Sequence, residues 1–322
     1  MQIVRYSEKY LVEWNTLVAN SKNGTFLHNR HFMDYHKDRF QDFSLMFYEG
    51  DELLAVLPAN HKDGIIYSHQ GLTYGSLVYR ANVKFNKIYQ IFCDLLKFLE
   101  EEGFSELVIK PIPHIYCSQP NDALTLILHK AEASIKRMDG LSVIDLRNPF
   151  RIARDRKQGI KRGMVNGLVI KEEKEFSSFW NDILIPNLQN KHNVFPVHSL
   201  QEIDNLKTEF PKNIRQFNVY QQDNIVAGAT VFETKYVAHM QYISGNEFKN
   251  ELGSIDFLHH HLINEVFKHK DFFDFGHSSI DSGSSINESL LYWKEGFGAR
   301  MVQHSTYMVE TKNYRFLENY LG

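Results

Sequence analysis

The sequence predicts an α/β (α+β) protein in which one domain plan occurs twice. Two observations carry this: the same order of elements recurs along the chain, and the recurrence keeps a nearly constant offset. A strand pair over Phe43 to Tyr48 and Leu53 to Ala59 is followed by Ile65 to Val78, a helix from Asn86 and a strand at Leu107 to Lys110. The same succession returns as Ile214 to Tyr220 with Ile225 to Phe232, then Tyr236 to Ile243, a helix opening at Ser254 and a strand at Phe272 to Phe275. Corresponding elements lie roughly 165 to 171 residues apart. The chain of 322 residues is long for one core and ample for two. The expected domains are residues 1–148 and 149–322, with Asn148-Pro149 at the boundary.

In the first copy, Tyr10, Leu11, Trp14, Leu17 and Val18 recur at helical spacing behind Ser7, which suits an N-cap. Asn29 to Lys37 reads as a short helix, and Glu49-Gly50-Asp51 as the turn of the strand pair. Ile88, Ile91, Phe92, Leu95, Leu96 and Leu99 share one face of a helix that stops at Gly103. A proline-rich loop from Pro111 to Pro120, a helix near Asp122 to Lys130 and a strand at Ser142 to Leu146 close this copy.

The second copy opens on a basic segment and a strand at Leu168 to Lys171. A helix from Ser177 to Asn190 is expected to be interrupted by Pro186, and Ser199 to cap Leu200 to Phe210. Gln222-Asp223-Asn224 joins two long strands, and Tyr236 to Ile243 adds a third antiparallel neighbour. Ser244 to Gly253 is a polar loop before a helix over Ile255 to His269 and the strand Phe272 to Gly276. A helix near Glu288 to Lys294 and a strand from Met301 to Val309 end the plan.

Composition narrows the function. With 43% hydrophobic, 23% charged and 13% aromatic residues, the chain is globular rather than disordered or fibrous. A net charge of −3 disfavours bulk electrostatic binding to nucleic acid and leaves local patches open. Cys93 and Cys117 are too few for a disulfide framework or a structural zinc site, so a reducing, cytoplasmic setting is expected. No stretch is apolar enough to span a bilayer, and the sequence leaves the oligomeric state open. His259-His260-His261 occupy successive helical positions about 100° apart and cannot converge on one ion, so no metal site is expected. There is no motif for a nucleophile elbow or a phosphate-binding loop of the nucleoside triphosphatases.

Several groups are candidates for chemistry. Asp274 stands among Phe272, Phe273 and Phe275, so its carboxylate must find partners or face a cleft. Gly276 permits a sharp exit, after which His277 and Ser278 emerge at the strand's C-terminal end, where open α/β sheets hold ligands. His277 is read as a general base toward an amine, with Asp274 orienting it, or else Asp274 merely caps the turn. Gly253 and Ser254 at a helix start suit either plain capping or an anion such as a phosphate. The cluster Arg151, Arg154, Arg156, Lys157, Lys161 and Arg162 reads as a solvated face or as a seat for phosphates, those of a donor or of RNA. Tyr67-Ser68-His69-Gln70-Gly71-Leu72-Thr73-Tyr74-Gly75 suggests a lined pocket or a bulge, and His239-Met240-Gln241-Tyr242 holds the equivalent place in the second copy. His69, Gln70, Tyr74, His239, Gln241 and Tyr242 are therefore the expected acceptor contacts.

Phe273-Asp274-Phe275-Gly276 with Ser278, then Lys294-Glu295-Gly296-Phe297-Gly298, resemble the tail of FemAB-like proteins, which are similar to paired GNAT acyltransferase domains. The resemblance implies two tandem GNAT-like domains, each a mixed, mostly antiparallel sheet flanked by helices. It implies transfer of an acyl or aminoacyl group to an amine of a cell-envelope precursor, sugar or peptide, at a cleft between the domains. It also implies no tightly bound cofactor, acyl-CoA or aminoacyl-tRNA as co-substrate, Lys294 as a cation near the developing oxyanion, and Gly253, Ser254, Ser278, Arg156 and Lys157 on the donor. Neither Ser244 to Gly253 nor His69 to Ser76 reproduces the Gln/Arg-x-x-Gly-x-Gly/Ala loop of coenzyme A-binding GNAT domains. That departure keeps a second reading open: a catalytically inactive binding module on the same fold.

Overall fold

The computed structural model describes residues 1–280 and 283–318, and the chain divides into two compact units. The first holds Met1–Asp139 together with the chain from Gln303, and the second holds Gly140–Val302. Both divisions fall inside strands, Ser134–Asp145 and Arg300–Glu310, and not at Asn148-Pro149. Packing explains why the last segment joins the first unit. Tyr307 to Glu310 pair with Glu106 to Ile109, Val309 and Leu317 enter the first unit's core, and the Tyr89 hydroxyl donates to the Leu317 carbonyl at 2.9 Å.

In the first unit, Gln2–Arg5, Leu45–Glu49, Glu52–Leu57 and Val78–Tyr79 form an antiparallel sheet in that order. The helix Phe85–Glu101 buries the six residues its periodicity marks, Ile88 through Leu99, against this sheet's core. Each such side chain contributes roughly 1.5–3 kcal/mol on leaving water. Ser7 does not cap through its side chain; its carbonyl accepts from Tyr10 N and starts a short 3-10 turn ahead of Leu11–Ala19.

The expected strand Ile65 to Val78 is divided. Ile65–Tyr67 pairs with Asn60–Lys62 and, in parallel, with Glu106 to Val108, whereas Val78–Tyr79 pairs with the other sheet. Residues 68–77 leave the strand as a loop because His69 takes a φ of 64° and Ser68 closes on Gly75. A β-carbon on Gly75 would lie 1.9 Å from the Ser68 carbonyl oxygen, so only glycine permits this closure.

The second unit follows the expected meander more closely. Leu168–Glu173, Ile214–Gln221, Asn224–Glu233 and Val237–Gly245 run antiparallel, and Phe272–His277 lies parallel to the last of them. Ile160, Leu258, Leu262 and Ile263 cover one face together with Phe273, Phe275 and Phe297. Pro186 does not break its helix. A π-turn over Trp180–Leu184 sends Ile185 N to the Trp180 carbonyl, so the proline follows a widened turn in the first positions of Ile185–His192. A second π-turn over Leu262–Val266 follows Ser254–His261. Among the described residues no helix is long and apolar enough to cross a membrane.

Ser199 caps Leu200–Glu209 as the sequence indicates: its hydroxyl accepts from Glu202 N at 3.2 Å, and the Glu202 carboxylate accepts from Ser199 N at 2.7 Å. Ser199→Ala is expected to cost about 1 kcal/mol in urea unfolding. An unchanged midpoint would show that this exchange carries no stability.

Candidate functional site

The parallel pairing of Val237–Gly245 with Phe272–His277 lasts for three residue pairs and ends at His239 opposite Asp274. Beyond it the two strands have no mutual register, and this is where the second unit gathers its polar groups. Asp274 is fully buried; Oδ2 hydrogen-bonds His239 Nδ1 at 2.9 Å and Oδ1 accepts from Gly276 N at 2.7 Å. The carboxylate therefore caps the turn and orients an imidazole at once. That imidazole is His239, 35 positions away, and not His277. His277 is exposed, and its carbonyl, with that of Gly276, accepts from Lys294 Nζ at 2.7 and 2.9 Å.

Lys294 is buried, which pulls its ammonium down to about 8, while nearby Asp274 opposes the shift. An almost dry lysine thus pins the strand exit. Ser278 Oγ and Ser254 Oγ are buried without a hydrogen-bond partner among the described residues. Ser254 is not the cap of its helix; Gly253, at φ 71°, holds that position.

A cavity of about 670 Å³ opens where Val237–Gly245 ends and the helix after Gly253 begins. Ile243, Ser244, Gly245, Gly253, Ile255 and Asp256 form its inner wall, Arg156, Arg162 and Lys249 supply cations, and Asn187, Asn287 and Ser289 supply neutral polar groups. Asn187 Nδ2 donates to Ser244 Oγ and to the Gly245 carbonyl and so fixes the strand end. Trp293, next to Lys294, also lines the cavity, so one helix, Glu288–Glu295, joins it to the strand exit.

The wall is braced by close contact between Arg154–Val165 and Ser254–His261. Gly159 and Gly163 sit where a β-carbon would lie 1.8 Å from Asp256 Oδ2 and 2.5 Å from Phe257 Cβ. Asp256 accepts from both Trp293 Nε1 and Arg156 at 2.8 Å. Burial raises its carboxyl above the usual range, and the Trp293 and Arg156 bonds hold it back. Asp256 is accordingly a paired brace between the helices.

The first unit's loop is a packed structure of its own. His69 is buried and Tyr74, also buried, donates its hydroxyl to Thr25 Oγ1 at 3.2 Å. Gln70 exchanges two hydrogen bonds with Asn60. The His69 ring lies 5.0 Å from that of His36 and 5.3 Å from that of Phe40. Desolvation takes His69 to about 3 and His28 to about 4, and lowers His36. Lys110 Nζ donates to the Leu72 carbonyl and holds the loop from below.

Among the residues expected from sequence, His239 and Asp274 meet, Lys294 and His277 meet through a main-chain carbonyl, and Arg156 and Gly253 border the cavity. Tyr242 is committed to His198, whose Nδ1 lies 2.8 Å from its hydroxyl, and packs on Trp180. A bulge between the partners of Thr230 and Val231 falls at Gln241. Lys157 borders a different, shallower cleft with Arg151. Sequence reasoning missed Asp256, Trp293, Asn187 and Lys249 as cavity residues, and named Arg162 only as one of a basic cluster that suits phosphates. The spacing Gly159-x-x-x-Gly163 was the one local signal of the helix contact.

No protein-family model and no curated protein matches the sequence significantly. Solved structures do match in shape. A structure of FemX shares 11% identity at a TM-score of 0.64, covering 95% of this chain and 97% of that one. L-PGS from Bacillus licheniformis shares 12% at 0.60, covering 97% and 93%. A tandem GNAT protein from the clavulanic acid biosynthesis pathway shares 10% at 0.52, covering 96% and 98%. The chain has the FemAB-like, tandem GNAT fold.

Proposed function

We propose that this chain is an acyl- or aminoacyltransferase whose donor occupies the second unit's cavity and whose acceptor is an amine of a cell-envelope precursor, sugar or peptide. The observation that carries the reading is the end of parallel pairing at His239 and Asp274, with a cationic, amide-lined cavity further along the same strand. Arg162 and Lys249 would meet the donor's phosphates, with Trp293 offering an aromatic surface beside them. The amine nitrogen attacks the donor carbonyl, a C–N bond forms, and the bond to the ribose oxygen or the coenzyme A sulfur breaks. His239, oriented by Asp274, takes the proton the amine loses, and the leaving group regains one. Lys294 holds the strand exit beside the reacting carbonyl. Of the expected acceptor contacts in the first unit, His69 and Tyr74 are buried and would act only by holding their own loop, whereas Gln70 is exposed.

The missing glycine-rich loop counts against acyl-CoA without selecting aminoacyl-tRNA in its place, since the helical hairpin of aminoacyl-transferring members has no counterpart in the sequence either. Both departures support the second reading, a binding module without catalysis. Thermal shift with acetyl-CoA and with a stable 3′-aminoacylamino-adenosine distinguishes these. Saturable stabilisation by one donor, weakened about tenfold or more by Arg162→Ala, is expected. Mass spectrometry should detect an acylated amine, lost about a hundredfold in Asp274→Asn. Donor binding without product over a panel of amino sugars and peptides would leave the module; no donor binding at all would remove the transferase.

A further inference from the structure

Apart from Arg162 at its cavity-side edge, the solvent face of Arg154–Val165 serves none of the roles above. Gly159, Ile160 and Gly163 are the buried side of this helix, fixed against Ser254–His261. At 100° per residue the opposite side collects Arg154, Lys157, Lys161 and Arg162 and ends in Met164 and Val165. All six are exposed, Met164 by 58% and Val165 by 77%. The one acid of the helix, Asp155, is engaged by Arg156, whose guanidinium turns inward to Asp256. The outer face is therefore cationic without internal neutralisation. A shallow cleft of about 690 Å³, bounded by Phe150, Arg151, Lys157 and Asn264, continues it at the helix's beginning.

Single exposed apolar residues are ordinary, but two in succession at the end of a cationic stripe form an interfacial pattern. Single-stranded RNA surfaces interleave cations with aromatic rings on which bases stack, and this helix has no aromatic residue. We infer that this face docks on an anionic lipid bilayer, the cations meeting headgroup phosphates while Met164 and Val165 enter the boundary between headgroups and acyl chains. Lys and Arg side chains reach phosphates at the surface, and short apolar side chains at the same edge gain by leaving water. The chain needs no spanning segment for this.

Co-sedimentation of the full chain with phosphatidylcholine vesicles, with and without about 30 mol % phosphatidylglycerol, tests the inference. Binding is expected to the anionic vesicles only, to weaken with salt, and to fall about tenfold or more in Arg154→Glu/Lys161→Glu. Met164→Ser/Val165→Ser, with every charge kept, should weaken it several-fold, which separates insertion from attraction alone. Thermal melts of both variants check that they fold, and Arg154→Gln/Lys161→Gln provides a milder charge change should the reversal unfold the chain. No binding to anionic vesicles overturns the inference. Vesicle binding indifferent to the serine pair, or vesicle binding unchanged in Arg154→Glu/Lys161→Glu while transfer RNA binding falls, overturns it equally. Such failure leaves the donor cavity as it is, because no step there uses Arg154, Lys161, Met164 or Val165.

Discussion

Asp256→Ala is expected to destabilise the second unit by about 3 to 5 kcal/mol. The carboxylate joins three elements, with Arg156 of one helix, Trp293 of another and the Gly159 backbone of the first packed onto it. Its removal strands a half-buried guanidinium and leaves an indole N–H without its acceptor, and an unmade buried bond costs more than a made one gains. For a unit of this size the melting temperature should drop by roughly 6 to 20 °C. Gly159→Ala should also destabilise, by roughly 1 to 3 kcal/mol, because its β-carbon would enter the space of Asp256 Oδ2. The two changes should not add: once the carboxylate is gone the new methyl has room, so a double-mutant cycle in urea should give a coupling near 1 kcal/mol or more. Strict additivity would show that the helices do not meet in this way. The same substitution should abolish donor-induced stabilisation, since Asp256 is part of the cavity wall.

The second large effect is loss of stability in acid. His28, His69 and His259 are buried, and desolvation takes them to about 4, 3 and 4. Their folded values lie below the unfolded value near 6.5, so the unfolded chain binds more protons at every pH between them. Their contribution to stability is whole above pH 6.5 and is lost as the pH falls through that window. At pH 5 each costs about 2 kcal/mol relative to pH 7.5. His28 and His69 together should remove about 4 kcal/mol from the first unit, a large share of an ordinary domain's stability. Urea titrations at the two values would show it as a lower midpoint in acid. His69→Asn keeps a residue that tolerates the positive φ and removes the titration, so about 2 kcal/mol of the pH dependence should vanish. A midpoint indifferent to pH would mean that these rings are already charged in the folded chain.

Acid lability bears on the loop after Tyr67, whose conformation rests on this cluster. Its sequence already signalled something other than a strand: a polar and aromatic run with His69, Gln70 and Tyr74, broken by Gly71 and ended by Gly75, on an otherwise apolar segment. The sequence offered a lined pocket or a bulge. The structure forms neither an open pocket lined by His69 and Tyr74 nor a simple bulge, since burying the loop satisfied its polar groups within the unit. The candidate catalytic pair shows a similar division. Asp274 had to be constrained because a carboxylate between phenylalanines cannot stay unpaired, and that was legible. Its partner was not, because His277 is near in sequence and His239 is near only across a parallel ladder.

The sequence by itself determined the repeat, the order of helices and strands, the apolar face of Phe85–Glu101, the Ser199 cap and the need of Asp274 for partners. Each of these depends on periodicity or on chemistry within a few positions, so local residues suffice. Only the tertiary structure decided that the chain from Gln303 returns to the first unit, that the third strand of the first copy splits, that Asp256 braces two helices and that the cavity gathers Arg162, Lys249 and Asn187. Those outcomes depend on contacts between residues far apart in the chain, whose closeness is set by how faces of packed elements meet, and no local pattern records which faces will do so.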